Sequence, residues 1–276
     1  MFKKNLSPAI SLFTIFCISL FIAQKASAYP NGPDKYITDA APFCAGCHSS
    51  AEINQLKTVP EKFAKKNIIE EKHYKIIKGA TEDGRDPYKK MKKEDREKLL
   101  KDVKLVDANS TVKLSGVVSS KPGENITVTV ETNGGGGPVI GVMLLDNNLR
   151  YQSRPVSADG WMIIGTPKVI GPDGKEQTKW VDGRYAGLKK NLNFVLVYDI
   201  KADIAAGKYS STKVTYTLRA PHEPGNYTIA AAFLYGTEKA SPVGYIQKMG
   251  YKIPVGGFTS GGGRIRFSDV LNISIK

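Results

Sequence analysis

Near Ser110 the composition of this 276-residue chain changes abruptly, and any fold has to accommodate that change. Before Ser110, lysine and glutamate predominate and apolar residues recur at helical spacing. After it, short runs of Val, Ile, Thr and Tyr are separated by Gly, Pro, Asn and Asp. The sequence therefore predicts a two-domain α+β protein in which a small helical domain precedes an all-β sandwich.

The N-terminal 28 residues have the layout of a secretory signal peptide. Two lysines precede an apolar run over residues 10–23, and the small residues 26–28 form a cleavage site. We predict a cleaved signal over residues 1–28 and a mature protein in the periplasm, outside the cell or at its surface. An uncleaved anchor is the alternative, but the apolar run is short for a membrane-spanning helix and contains polar residues.

The chain is strongly basic. It has 40 Lys and Arg residues against 26 Asp and Glu residues, and loss of the three lysines in the signal lowers the net charge from +14 to +11. Such a charge favours encounter with acidic protein faces or anionic envelope surfaces. Nucleic acid is the other generic partner of a basic chain, but an exported protein seldom meets it, and we expect no nucleic-acid partner.

Residues 43–48 read Phe-Cys-Ala-Gly-Cys-His, with two thiols two residues apart and an imidazole directly after them. This spacing is the attachment pattern of c-type haem. Cys44 and Cys47 would each add across one vinyl group of the haem, and His48 would become the proximal ligand of the iron. A redox disulfide or half a zinc site is the alternative. The third cysteine, Cys17, leaves with the signal, so the sequence predicts one covalent haem c and an oxidising compartment.

Three helices are predicted in the part that precedes Ser110. The first begins at Thr58, the second runs over Lys66–Lys78 and ends at the cap residue Gly79, and the third covers Lys93–Val106. The apolar stripe of the second helix includes His73, which we therefore expect to face the core.

The stretch from Phe43 to Asp107 resembles the single-haem class I cytochrome c domain. The shared order is an early attachment motif, a helix that ends at glycine, a loop and a terminal helix. The resemblance implies a cytochrome c domain over residues 29–109, whose loop supplies a methionine as the second axial ligand. In this chain Asp86 occupies the methionine position, and Met91 follows later in the loop.

The second axial ligand has several candidates. His73 is the first, because a buried imidazole on an apolar face needs a partner and iron would supply one. Met91 is the second, because ferrous haem prefers thioether sulfur. His222 would reach the iron only across a domain interface, and an open sixth position is the remaining alternative. If they are not ligands, His73 is a core histidine bonded to a backbone carbonyl, Met91 packs in the core and His222 is solvated.

The sandwich is predicted to cover residues 110–276. Alternating apolar and polar residues that begin at Thr111 and at Asn125 predict its first two strands. The glycine-rich residues 133–138 predict a hairpin loop, and residues 171–174 predict a tight hairpin turn. Later strands are predicted at Asn193–Ile200, Lys213–Arg219, Tyr227–Tyr235, Tyr245–Pro254 and Arg264–Lys276.

Eight or so strands at this spacing suit an immunoglobulin-like or reeler-like sandwich. A C-x-x-C-H unit ahead of such a sandwich is similar to bacterial exported proteins that carry a reeler-like domain. We expect Trp161, Met162 and Trp180 to pack inside this sandwich.

Together these features predict an exported monohaem c-type cytochrome that transfers single electrons and is not itself an enzyme. Its sandwich would serve docking, positioning or assembly, and its redox partner would present an acidic face. Three alternatives stay open. They are a haem-based gas or redox sensor, a structural or filament subunit that pairs through sandwich edges, and a haem subunit of a larger periplasmic oxidoreductase complex.

Overall fold

The structure, a computed structural model, describes residues 73–79, 86, 88–148, 155–182, 192–237, 244–248, 251–255 and 263–276. The predicted signal peptide and the segment that contains Cys44, Cys47 and His48 lie outside these ranges and stay predictions. So do the predicted helix start at Thr58 and the first residues of the second predicted helix.

The described residues form three α-helices, a 3-10 helix over Val156–Asp159 and fifteen strands. The helices are α1 (Lys75–Lys78), α2 (Lys93–Asn109) and α3 (Lys179–Asp182). The strands are β1 (Thr111–Gly116), β2 (Ser119–Ser120), β3 (Asn125–Asn133), β4 (Val139–Leu145), β5 (Met162–Ile163), β6 (Lys168–Ile170), β7 (Phe194–Tyr198), β8 (Ala202–Asp203), β9 (Lys208–Tyr209), β10 (Ser211–Arg219), β11 (Gly225–Gly236), β12 (Gly244–Lys248), β13 (Tyr251–Val255), β14 (Gly263–Phe267) and β15 (Leu271–Ile275).

Most of the strands belong to two sheets. The first sheet has the order β1-β3-β10-β5, with β6 also paired to β10. The second has the order β2-β15-β11-β4-β7, with β14 also paired to β11. All of these pairs are antiparallel except β2 with β15. The pairs β8-β9 and β12-β13 form separate two-stranded sheets.

Alternation explains the first sheet. In β3 the apolar residues Ile126, Val128 and Val130 are buried, and the residues between them are exposed or half-buried. The same period of two in β10 buries Val214, which lies opposite Val130, and Tyr216. Since successive side chains of a strand point to opposite faces, one face of this sheet meets the core and the other meets solvent.

A single apolar core joins the two sheets. Val128 and Tyr216 of the first sheet belong to the same buried cluster as Val142 and Phe233 of the second. Two sheets that share one core between their inner faces form a sandwich. The β-sandwich predicted after Ser110 is therefore confirmed.

The central strand β4 was not predicted from the sequence. All seven of its residues are buried. Val142 faces the core between the sheets, whereas Met143 and Leu145 pack on the outer face of the second sheet with Ala232 and Ile265. Burial on both faces removes the alternation of apolar and polar residues, so the sequence pattern of β4 resembles a continuous apolar run.

The hairpin predicted at residues 133–138 is wrong. This segment leaves β3 in the first sheet and enters β4 in the second, so it crosses between the two layers. Gly134, Gly135 and Gly137 all have positive φ angles. At Gly134 a Cβ atom would lie 2.5 Å from the Cα of Ser110, which shows how closely the crossing chain passes the end of α2.

Other predictions in the sandwich are confirmed or corrected in detail. The tight turn at residues 171–174 is present, with the N–H of Gly174 donating to the carbonyl of Gly171 at 3.0 Å. Trp161 and Trp180 are buried in the core as expected, whereas Met162 is 55% exposed. The strands predicted over residues 245–254 and 264–276 are each two shorter strands.

The predicted separate helical domain is wrong. In the part of the chain that the structure describes, α2 is the only helix longer than four residues. The end of α2 belongs to the sandwich, because Val106 packs in the sandwich core and Asp107 bonds to Tyr235 of β11 and Arg264 of β14. An amphipathic helix must bury its apolar stripe, and α2 buries part of that stripe against the sheets. The predicted boundary between residues 109 and 110 stays a prediction.

Candidate functional site

A network of buried polar side chains lies where α1 and α2 meet the second sheet. It consists of His73, Tyr88, Asp107, Tyr235 and Arg264, and we call it the helix–sandwich network. Each of these residues is buried, with His73 only 3% and Arg264 only 2% exposed. Buried charged groups are rare unless they are paired and hydrogen-bonded, so the contacts of this cluster decide what it does.

The centre of the network is the ion pair between Arg264 and Asp107. The Nε of Arg264 lies 3.1 Å from Oδ2 of Asp107. Tyr235 donates its hydroxyl to the other carboxylate oxygen at 3.0 Å, and Tyr74 donates to Oδ2 at 3.1 Å. Three donors on one carboxylate satisfy the charge that burial would otherwise make costly.

Strand register places two of these groups together. Tyr235 of β11 is the direct partner of Arg264 of β14, so both side chains lie on the same face of the second sheet. That face is the inner one, because the neighbouring residue Phe233 packs in the sandwich core. The pair therefore lies at the edge of the core, where the end of α2 brings Asp107.

Tyr235 is held as a hydrogen-bond donor. Burial raises the pKa of its hydroxyl far above the ordinary range of tyrosine, and the negative charge of Asp107 acts in the same direction. The hydroxyl consequently keeps its proton.

His73 is bonded at both ring nitrogens. Nδ1 lies 2.7 Å from Nη2 of Arg264, and Nε2 lies 3.3 Å from the hydroxyl oxygen of Tyr88. A guanidinium group has donors only, so Nδ1 accepts from Arg264. In a neutral imidazole the proton is then on Nε2, which donates to Tyr88.

Tyr88 is fixed in turn by Arg96 of α2. Nη2 of Arg96 donates to the Tyr88 carbonyl and to Oδ2 of Asp86, each at 2.7 Å. The N–H of Tyr88 donates to Oδ1 of Asp86 at 3.0 Å. The hydrogen bond from Arg96 holds the pKa of Asp86 below its usual value.

The end of α1 packs against the same arginine. Gly79 adopts the left-handed conformation at the helix end, with φ of 79°, so the predicted glycine cap is confirmed. A Cβ atom at Gly79 would lie 2.6 Å from Nη1 of Arg96. Arg96 of α2 therefore contacts α1, Asp86 and Tyr88 and holds them in one arrangement.

The structure describes the surroundings of both His73 and Met91, the two first candidates for the distal ligand. His73 bonds Tyr88, and Met91 packs half-buried against the apolar cluster that Tyr88 forms with Ile77 and Val103. His73 is buried as predicted, but its described partners are side chains and not a backbone carbonyl. His222 is exposed, and its ring lies next to Gly123 on a sandwich loop. None of these observations tests iron binding, and the ligand assignment stays a prediction.

The sequence pattern did not identify Asp107, Tyr235 and Arg264 as members of a buried site. Asp107 carries a detectable signal, because it is an acidic residue four positions after Val103 on the buried stripe of α2. Arg264 carries none, since an arginine that alternates with apolar residues in a strand is typical of a solvent-facing position.

Neither a cluster of metal ligands nor a helix that could span a membrane occurs within the described ranges. No three residues among histidine, cysteine, aspartate and glutamate converge as metal ligands do. No helix there has the length and hydropathy to cross a membrane.

No protein-family profile matches the sequence, and no curated protein matches it. Among solved structures, the chain is similar to the CARDB domain of a Pyrococcus furiosus protein in complex with di-metal ions. The identity is 11% and the TM-score is 0.25, over 61% of this chain and 88% of the other. The β-sandwich assignment rests on the strand pairing and the shared core described above.

Proposed function

We propose that this protein is an exported monohaem c-type cytochrome that transfers single electrons. The observation that carries the proposal is the C-x-x-C-H sequence of residues 44–48, in a chain whose predicted mature part has no other cysteine. Two thiols and an adjacent imidazole are the donor set that covalent haem requires, so Cys44, Cys47 and His48 fit the group.

The cofactor would supply a one-electron centre, and the protein would bind and orient it. Cys44 and Cys47 would fix its position through thioether bonds, and His48 would bind the iron from one side. His73 and Met91 stay the sequence-based candidates for the other side; His73 bonds Tyr88, and Met91 packs against the cluster that contains Tyr88.

Charge on the described surface supports a redox partner with an acidic face. Four exposed lysines lie in the turn before α2 and at its first residue: Lys89, Lys90, Lys92 and Lys93. Lysines clustered in this way accelerate association with a negatively charged partner and lose that effect as salt screens them. The sandwich would then serve docking or assembly, and its immunoglobulin-like or reeler-like character belongs to the same proposal.

A haem-based sensor with an open sixth position is the second candidate function. The observation that favours it is the bonding of His73, because both ring nitrogens already have partners within the protein. A sixth position without a protein ligand is the one that a diatomic gas can occupy.

The test is to produce the full chain with its signal in a bacterium that expresses a c-type haem maturation system. We expect the purified protein to gain the mass of one haem and to show a c-type spectrum in alkaline pyridine. Cys44→Ser and Cys47→Ser should each reduce covalent attachment, whereas Cys17→Ser, in the predicted signal, should not. A native protein without haem, from cells that mature a control cytochrome, would contradict the proposal.

Carbon monoxide separates the two candidate functions. If carbon monoxide leaves the spectrum of the reduced protein unchanged, the result supports electron transfer, because no position on the iron is then open to the gas. A spectrum that shifts at low gas concentration supports the sensor.

A further inference from the structure

We propose that Arg264 is a positioning residue that holds His73 in the tautomer with its proton on Nε2. In this role His73 is a hydrogen-bond connector between the residues that precede α1 and the sandwich, and it does not bind the haem iron. Only the statement about iron rests on the proposed function, because the tautomer of His73 is a property of the protein with or without haem.

The tautomer follows from the direction of one hydrogen bond. Nη2 of Arg264 lies 2.7 Å from Nδ1 of His73, and the guanidinium cannot accept a proton. A histidine that binds a metal through Nε2 carries its proton on Nδ1 and donates it to a carbonyl or carboxylate. Beside Arg264 that arrangement would bring two N–H donors to within 2.7 Å of each other. Binding through Nδ1 is blocked as well, because the guanidinium occupies that side of the ring.

Arg264 cannot easily move away. Its Nε is paired with Asp107 at 3.1 Å in a site where the arginine side chain is 1% exposed. Asp107 also accepts from Tyr235, the strand partner of Arg264, and from Tyr74, the residue after His73. The contacts therefore close a ring through His73, Arg264, Asp107 and Tyr74. Releasing Nδ1 would leave a charge in this ring without one of its partners, which is costly in a buried site.

The other side of the imidazole is also held. Nε2 donates to the hydroxyl of Tyr88, whose carbonyl and N–H are fixed by Arg96 and Asp86. Exchange of Tyr88 for iron would require the Nε2 proton to leave and Nδ1 to gain one, against the donor on Arg264. Arg264 therefore opposes iron binding at Nε2 as well as at Nδ1.

The primary experiment measures the two ring nitrogens of His73 by NMR in the full mature protein labelled with 15N-histidine. The mature chain has three histidines, and His73→Gln identifies the signals of residue 73. We expect Nε2 to have the shift of a protonated nitrogen and Nδ1 that of an acceptor. A protonated Nδ1 in the native protein would overturn the proposal.

Two variants test the role of Arg264 itself. Arg264→Lys keeps a cationic donor and should keep the native tautomer. Arg264→Met removes the donor, and the proportion of the tautomer protonated on Nδ1 should rise. An unchanged tautomer in a folded Arg264→Met protein would overturn the role of Arg264. If Arg264→Met does not fold, the native protein still decides which tautomer His73 adopts. A protonated Nδ1 in Arg264→Lys would then contradict control of the tautomer by a cationic donor.

A second readout tests the statement about iron. We expect oxidised and reduced absorption spectra of His73→Ala to match those of the native protein, because no axial ligand is lost. Loss of a low-spin spectrum in His73→Ala would identify His73 as the ligand and refute the inference. Failure to attach haem would instead count against the proposed function and leave the NMR result valid.

Discussion

At the scale of single residues, the helix–sandwich network shows what a local sequence pattern can predict and what it cannot. The position of His73 among apolar residues correctly predicted that its imidazole is buried and needs a partner. The partner was not predictable, because Arg264 is 191 positions away along the chain. A polar residue on an apolar stripe therefore indicates that a partner exists, but only the tertiary fold identifies it.

The turn before α2 gives a prediction at this scale. The pKa of Asp86 is lowered from 3.8, mainly by its hydrogen bond from Arg96. A carboxyl whose pKa is lowered in the folded state contributes stability above its unfolded value and loses that contribution as the pH falls through the folded value. We expect Asp86→Asn to lower the free energy of unfolding at pH 7, and this difference from the native protein should shrink as the pH falls below 3.8.

Urea unfolding of both proteins between pH 7 and pH 2 measures the effect. Glu97→Gln is the control, since Glu97 is an exposed carboxylate next to Arg96 in sequence. A difference between Asp86→Asn and the native protein that stays constant over the whole pH range would show that the carboxylate charge is not the cause.

At the scale of secondary structure elements, alternation predicted the strands that have one exposed face. It identified β3 and β10, but it failed for β4, which is buried on both faces. Short strands such as β5 and β6 were also missed. They contain two and three residues, too few for a periodic pattern.

The side chain of one glutamine, Gln177, hydrogen-bonds the backbone of the edge strand β7. Gln177 donates from Nε2 to the carbonyl of Tyr198 at 3.1 Å and accepts from the N–H of Tyr198 at 2.9 Å. Its own N–H bonds the carbonyl of Val169 in β6, so Gln177 joins the edges of the two sheets. An amide side chain with this bonding occupies backbone groups that another chain would otherwise pair with.

We predict that Gln177→Ala lowers the free energy of unfolding by about 1–3 kcal/mol, because two hydrogen bonds are lost. The freed edge should also increase self-association at high protein concentration. Gln177→Glu, which keeps the acceptor but turns the donor into an oxygen that faces the Tyr198 carbonyl, should also lose stability. Urea unfolding and analytical ultracentrifugation provide the measurements.

The neighbouring substitution Glu176→Ala serves as the control. Glu176 is exposed and lies 3.9 Å from Lys168, a surface pair of little energetic weight. Equal unfolding free energies for Gln177→Ala and Glu176→Ala would contradict the role of Gln177 at the edge.

At the scale of the whole molecule, the composition after Ser110 correctly predicted the β-sandwich, whereas the separate helical domain predicted before it is wrong. Composition did not show that α2 is shared between a helical cluster containing Val103 and the sandwich core containing Val106. Composition reports which elements form, whereas the contacts between them depend on pairs distant in sequence, such as Asp107 with Arg264.

The crossing between the sheets gives a prediction at this scale. Gly134 has φ of 106°, and a Cβ atom there would lie 2.7 Å from the Asn109 carbonyl oxygen at the end of α2. Gly174 has φ of 77° with open space around such a Cβ atom. We expect Gly174→Ala to cost about 1–2 kcal/mol from backbone strain alone. Gly134→Ala should cost about 2–5 kcal/mol, because crowding adds to the strain.

Thermal and urea unfolding of the two alanine variants measure the difference. That difference reports the close approach of the crossing segment to α2 together with the less favourable φ of Gly134. Equal costs would show that the approach is not tight in solution.

The distance in sequence between the partners of the network sets the order in which the molecule can be completed. His73 and Asp107 come early in the chain, whereas Arg264 belongs to the second strand from the end. During synthesis, α1 and α2 therefore emerge long before Arg264, which bonds Asp107 and His73. Contacts between such distant positions form slowly, because a long loop must close first. A chain that stops before β14 would keep Val106 in the sandwich core and the hydrogen bond from Tyr235 to Asp107, but it would lack both bonds that Arg264 makes, to Asp107 and to His73.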